Sequence, residues 1–260
     1  MPAIGFELGN GRRLLLIGRL DRVDLCAEEG CRYVRIMDYK TGANDLDEDM
    51  IRRGLQLQLI TYMEALLNAG AERLDLLAGG IQERLPGQES PPAAEEGQEE
   101  AKVIPSAMLY YRMTDPVLNM TAAEVSDSAG SDAAPDQAMA DERIGKIRSS
   151  LRPTGLVLED EDSICRLDKY FTGKSNVIPV TRSTKGGYTS ASHLIDEEKY
   201  RELADMAREA LCRVAEHILD GDVSAEPASL KKGAAACDYC PYKGACGFDP
   251  RIPGYSYRKD

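Results

Sequence analysis

Gly18-Arg-Leu-Asp21-Arg-Val-Asp24, Arg35-Ile-Met-Asp38-Tyr39-Lys40 and Gly54-Leu-Gln-Leu-Gln58-Leu-Ile-Thr-Tyr62 decide how this chain is read. The order is strand, strand, helix. Asp21 lies inside an apolar run, Leu14 to Leu25, and Asp38 and Lys40 close a second run, Tyr33 to Tyr39. Side chains alternate along a strand, so Asp38 and Lys40 share a face, roughly 7 Å apart along the chain. Charged groups on a face that otherwise packs apolar residues need compensation or a task. Asp24, three residues beyond Asp21, faces the other way in a regular strand and is expected to pair with Arg19 or Arg22.

Two carboxylates and an amine on adjoining strands suit phosphodiester hydrolysis. Carboxylate oxygens hold a hard cation such as Mg2+ or Mn2+. Asp21 and Asp38 are the candidate ligands, with the Tyr39 carbonyl as a further one. Such a cation lowers the pKa of a bound water and polarises a phosphoryl oxygen. Lys40 then orients that water or stabilises developing charge. The competing reading is a surface hairpin with solvated Asp and Lys, because an isolated Asp-x-Lys is a weak motif.

The third stretch changes that balance. Ile51, Leu55, Leu59, Tyr62, Met63 and Leu66 recur at helical spacing, which predicts a helix over Met50–Asn68. Gln58 and Tyr62 are one turn apart on it, with Gly54 a turn earlier as a place of close approach. Gln-x-x-x-Tyr after Asp-Tyr-Lys resembles the RecB-type branch of the PD-(D/E)XK nucleases, and within it the C-terminal nuclease domain of the AddB family. The resemblance implies an α/β fold, a mixed central sheet flanked by helices. It implies an exonuclease acting on unwound DNA in double-strand break repair. Catalytic residues would be Asp21, Asp38, Lys40, Gln58 and Tyr62, the last two positioning the strand or a water. Expected partners are single-stranded and duplex-end DNA and an AddA-like helicase–nuclease subunit. A CRISPR-associated RecB-like nuclease, a non-catalytic scaffold of the same fold and a zinc-ribbon-like interaction protein are the other readings.

The chain has 260 residues, 43% of them hydrophobic, enough for a sizeable core. It shows neither a membrane-length apolar run nor a signal peptide, so a cytoplasmic location is expected. Its net charge of −12 is unusual for a DNA enzyme, whose grip normally comes from cations. The acid is expected to lie away from the cleft, or another subunit to supply the grip. Residues 86–101 and 121–141 hold much of it, lack periodicity and read as flexible insertions. No Walker A pattern occurs, so ATP use belongs elsewhere.

Further elements complete the expectation. Ile4–Asn10 and Leu14–Leu25 form strands joined at Asn10-Gly11, and Cys26 and Cys31 flank the next turn as free thiols. Arg73–Gln82 and Met108–Met113 are strands, and Asp141–Leu151 is a short helix. Gly155–Leu158 and Ile178–Thr181 are short strands. Lys169, Lys174 and Lys185 lie in loops that either contact phosphate or are simply solvated. Ser192-His193 leads into a helix capped by Asp196 and ending near Leu219, with Tyr200, Leu203, Ala207, Ala210, Leu211, Val214 and Ile218 inside. Cys212 on it is read as core and His217 as surface.

Near the end, Cys237-x2-Cys240-x5-Cys246 within a Cys-rich tail, 230–250, has the spacing of metal ligands rather than of disulfides. Zinc with a fourth ligand and free thiols are both open readings. The family resemblance implies a [4Fe–4S] cluster, closed by an upstream cysteine that has no match before Gly18. An upstream helix with His or Glu also lacks a match, so the chain reads as one nuclease domain, 1–260, excised from a larger protein.

Overall fold

The computed structural model describes residues 3–28, 30–42, 45–81, 101–113, 137–229 and 236–258. The strands are β1 (Ile4–Glu7), β2 (Arg13–Leu16), β3 (Arg22–Glu28), β4 (Cys31–Lys40), β5 (Lys102–Arg112), β6 (Thr154–Leu158) and β7 (Leu194–Ile195). The helices are α1 (Glu48–Arg52), α2 (Gln58–Ile81), α3 (Gln137–Ser150), α4 (Glu161–Leu167), α5 (Glu197–Leu219) and α6 (Lys243–Cys246). The central sheet has the order β3-β4-β5-β6-β7. β4 runs parallel to β5, and β6 to β7; the other pairs are antiparallel. This is the mixed α/β sheet that the sequence predicts.

Burial explains why β4 is its axis. Val34 and Ile36 face α2 and α5, packing with Ile51, Leu59, Ile60, Met63, Tyr200 and Leu203. Met37 faces the opposite layer, with Leu109, Val157, Ile164, Ile178 and Val180. A strand covered on both sides is a nearly unbroken apolar run, and each fully buried aliphatic side chain contributes about 1.5–3 kcal/mol. Asp38 is the exception on the α2 face, buried at 4% exposure. Between Val34 and Arg35 the β4–β5 register slips by one, so that Ser106 is the extra residue on β5. Its hydroxyl lies 3.2 Å from that of Ser163.

Several expected elements take a different form. Leu14–Leu25 is two strands, because the chain leaves β2 at Leu16 and turns at Asp21 before entering β3. Ile4–Asn10 shortens to β1, which pairs only with β2 in a separate two-stranded sheet. There Ile4 and Phe6 pack on Ala65 of α2. The Met50–Asn68 helix is broken. Gly54, at φ +79°, ends α1: its N–H bonds to the Ile51 carbonyl at 2.9 Å, and the Leu55 N–H to the Met50 carbonyl at 2.8 Å. That paired pattern is a Schellman stop, so Gly54 serves as a helix terminator. Leu55 is 42% exposed as a result.

Arg73–Gln82 is not a strand: α2 continues through it to Ile81, after a kink where Gly70 takes φ 76°. Ala71 and Leu74, three apart, are buried on its inner side, a helical spacing that the intervening charges obscure. Gln82, residues 86–100 and residues 121–136 lie outside the described residues, whereas 137–141 belong to α3. Ile178–Thr181 forms no strand; Thr181 makes a single bridge to Lys174. β7 stands between Ser192-His193 and α5. Asp196 caps α5 as expected, accepting the Lys199 N–H at 2.7 Å. Val214 and Ile218, expected inside, are 44% and 71% exposed. No described helix is long and apolar enough to cross a membrane.

The end of the chain returns to α1. The Arg258 guanidinium donates to the Arg53 carbonyl at 2.9 Å, and Arg213 on α5 donates to that of Arg52 at 2.8 Å.

Gly155 gives a direct test of the sheet. It sits in β6 opposite Leu109 at φ +118°, and an added Cβ would lie 2.2 Å from the Met108 carbonyl oxygen. Gly155→Ala is expected to cost about 3 kcal/mol, seen as a lower urea midpoint at unchanged slope.

Candidate active site

The site forms where β4 ends. The β3–β4 register pairs Arg22 with Met37; one step further sets Asp21 opposite Asp38. Asp21 is exposed in the bend before β3, and its Oδ2 accepts the Tyr39 N–H at 3.1 Å. A short polar side chain bonding a neighbouring strand's backbone fixes the bend. Asp24 faces away, as alternation predicts, and pairs with Arg22 at 2.9 Å and with Arg35 at 2.6 Å.

Two side chains hold Asp38. Gln58 Nε2 donates to Oδ1 at 2.8 Å, and its Oε1 accepts from Lys40 Nζ at 2.9 Å. Lys40 Nζ also lies 2.6 Å from Asp38 Oδ2, an ion pair. The angle there is poor for a hydrogen bond, so Oδ2 is buried with charge compensation but no directed donor. Gln58 is the first residue of α2, so the start of that helix lies beside Asp38. The Schellman stop at Gly54 is therefore what lets a fresh helix begin at Gln58.

Tyr62, one turn on, accepts a long 3.4 Å bond from Gln58 Nε2. Its ring packs on Gly18: a Cβ there would meet the Tyr62 ring and hydroxyl at 3.0–3.3 Å. The glycine of Gly18-Arg-Leu-Asp21 thus brings the Asp21 segment down onto α2.

β5 supplies the outer wall, which sequence reasoning missed. Parallel pairing sets Tyr110 beside Asp38 and Arg112 beside Lys40. The Tyr110 hydroxyl is pushed up to about 12, by burial first and by the Asp38 charge second, so it stays protonated. A cleft of about 270 Å³ opens here, lined by Lys40, Asp45, Tyr110, Arg112, Arg152 and Thr154. The alternation of Met108–Arg112 carried the signal for Tyr110 and Arg112, but only the partner strand's identity turns it into a position.

Asp21, Asp38, Lys40, Gln58 and Tyr62 thus gather at one strand end. Asp38 Oδ2 and the facing Asp21 carboxylate are a hard oxygen donor pair, the kind a divalent cation takes. Among the described residues no group of three or more His, Cys, Asp or Glu is arranged to hold a metal. A cation here would rest on these two carboxylates and backbone or solvent oxygen.

The tail cysteines differ. Cys237 lies in a single turn at Ala236–Tyr239 and Cys246 ends α6. Burial raises the Cys237 thiol pKa, and Cys240 and Cys246 add to it, so the three are neighbours. All are free, and they do not form a metal-holding group. Three thiols are one fewer than a cubane cluster takes. Cys26 and Cys31 flank the β3–β4 turn as free thiols, as expected.

Residues 2–247 match the family model of the PD-(D/E)XK nuclease superfamily, and the chain belongs to that superfamily. It is similar to the ATP-dependent helicase/deoxyribonuclease B-subunit of Clostridium botulinum strain Hall, 33% identical over 98% of the chain. The B-subunits of the same name from Caldanaerobacter subterraneus subsp. tengcongensis and Acetivibrio thermocellus are each 32% identical over 99% of it. The chain spans 19% of the length of each of these relatives.

The Gly18–Tyr62 contact is testable by a double-mutant cycle. Gly18→Ala is expected to destabilise by about 1–3 kcal/mol through overpacking, and Tyr62→Leu in the same chain to recover at least about 1 kcal/mol of it. Additive losses in denaturant melts would show that the two do not touch.

Proposed function

We propose that this chain is a divalent-cation-dependent deoxyribonuclease domain that cuts single-stranded DNA delivered by a helicase. One observation carries the reading: the buried Asp38 carboxylate is gripped by Gln58 and Lys40, Asp21 bonds the backbone N–H of the next residue, Tyr39, and Lys40 itself lines a cleft that also bears Arg112. A buried carboxylate oxygen with a paired charge but no directed donor calls for an explanation, and a role as a cation ligand supplies one.

Asp21, Asp38 and the Tyr39 carbonyl would hold Mg2+ or Mn2+, which when bound supplies Lewis acidity toward phosphoryl oxygen and makes water more acidic. Lys40 presents its ammonium at the edge of the cleft, where it orients a water and offsets charge as the phosphate gains it. Gln58 spans Asp38 and Lys40 and fixes both rotamers. Tyr62 offers its hydroxyl to the strand or to a water. Arg112 lies beside Lys40, placed to grip a neighbouring phosphate.

The names of the relatives supply the setting. The B-subunit of an ATP-dependent helicase/deoxyribonuclease implies a second, AddA-like partner and a role in break repair. That partner also accounts for a nuclease with so acidic a surface. Cys237, Cys240 and Cys246 offer thiolates to a [4Fe–4S] cluster that would staple the tail, or to zinc. Iron and zinc analysis of anaerobically prepared protein decides between them, and no step of hydrolysis passes through either.

Asp38→Ala is expected to lower Mg2+-dependent degradation of single-stranded DNA by about 10³-fold or more while the protein still assembles with its partner. Cleavage at the original rate would remove Asp38 from the chemistry. Gln58→Ala, which frees both rotamers but leaves the carboxylates, is expected to cost about 10–100-fold in kcat and little in KM.

A further inference from the structure

A second and larger cleft, about 610 Å³, opens on the other face of the sheet at the same end of β5. Tyr110 and Tyr111 divide the two: the first lines the catalytic cleft, the second this one. The end of α3 and the turn after it do likewise, with Ser150 and Arg152 on the catalytic side and Arg148 and Leu151 on this side.

The cleft's chemistry departs from that of the protein around it. The chain carries a net charge of −12, yet Arg148 and Lys174 line this cleft against one acid, Asp168. That acid is already used: its Oδ2 accepts from Ser175 Oγ at 2.7 Å. Arg148 is exposed and makes no ion pair among the described residues. Tyr170 is 82% exposed, so packing does not account for it. Lys169 Nζ lies 5.4 Å from the centre of its ring, adding positive charge beside an aromatic face.

The loop that bears these groups is held firmly. Ser175 is buried, and its Oγ accepts the Val177 and Ile178 N–H groups at 3.0 and 3.1 Å. Arg152 donates to the Ile178 and Val180 carbonyls at 2.9 and 2.8 Å. The Arg182 N–H bonds to the Gly173 carbonyl at 2.7 Å. Tyr170 therefore stands on a braced loop, and a ligand meeting it loses little to ordering.

An exposed aromatic ring between cations is what unpaired bases on a phosphate backbone bind: the ring takes a base face, and the cations take phosphates. A duplex keeps its base faces stacked inside and presents only phosphate here. The geometry points to a base-stacking subsite for single-stranded DNA in this cleft, with Tyr170 as the platform and Arg148 and Lys174 as phosphate contacts. The subsite rests on the nuclease reading in that it takes the substrate strand as its ligand. It lies around the end of β5 from the reacting groups and holds nucleotides to one side of the cut.

The test uses the full-length protein in EDTA with an oligothymidylate carrying 5-iododeoxyuridine. Irradiation is expected to crosslink Tyr170, identified by mass spectrometry. Tyr170→Ala is expected to weaken binding about tenfold, while Tyr170→Phe binds as the parent does. Arg148→Ala with Lys174→Ala is expected to flatten the salt dependence of binding by between one and two counterions. Crosslinks that avoid Tyr170, equal affinity for Tyr170→Ala, or equal competition by a blunt duplex would each overturn the subsite. A thymidine 5′-nitrophenyl phosphate, too short to span both clefts, separates the two readings. Its hydrolysis in Mg2+ is expected to survive Tyr170→Ala and to vanish in Asp38→Ala. Absent hydrolysis in the parent would sink the nuclease reading, while the crosslink still reports on Tyr170.

Discussion

A carboxylate buried at the end of the central strand sets the terms for everything near it. Removing an ionised group from water costs several kcal/mol unless partners replace the solvent. Asp38 finds them in Lys40, two residues along its own strand, and in Gln58, from the first turn of the facing helix. Gln58 reaches it only because α1 stops at Gly54 and a new helix starts at that point. The strand and the helix are in turn fixed by the apolar layer of Val34, Ile36, Leu59, Ile60 and Met63. The polar site thus inherits its geometry from a hydrophobic interface, and holds it through two short hydrogen bonds.

Asymmetry between the two acids follows from their supports. Asp38 sits on a paired strand and is inaccessible except at its open side. Asp21 sits in a bend, exposed, with one backbone hydrogen bond and the Gly18–Tyr62 contact behind it.

Much of this was legible in the chain itself. Alternation put Asp38 and Lys40 on one face and turned Asp24 to the other; helical spacing paired Gln58 with Tyr62. What failed did so for identifiable reasons. The apolar run from Leu14 to Leu25 hid a bend at Asp21, because Ile17 and Leu20 extend the hydrophobic pattern through residues that belong to neither strand. Gly54 looked like a gap in a helix face when it was the end of a helix. Arg73–Gln82 mixed charges with leucines in a way that suits a strand or a helix, and packing against the core selected the helix. Tyr110 and Arg112 could not be assigned, since a residue becomes part of a site only when its strand's neighbour and register are known.

The bond from Arg258 to the Arg53 carbonyl joins positions 205 residues apart. A charged donor on a helix-end carbonyl contributes about 1.5–3 kcal/mol. It acts as a clasp on the elbow whose far side is Gln58. Loss of the Arg258 side chain would loosen that elbow without removing any group from the cleft, so a residue remote in sequence steadies the turn from which Gln58 springs.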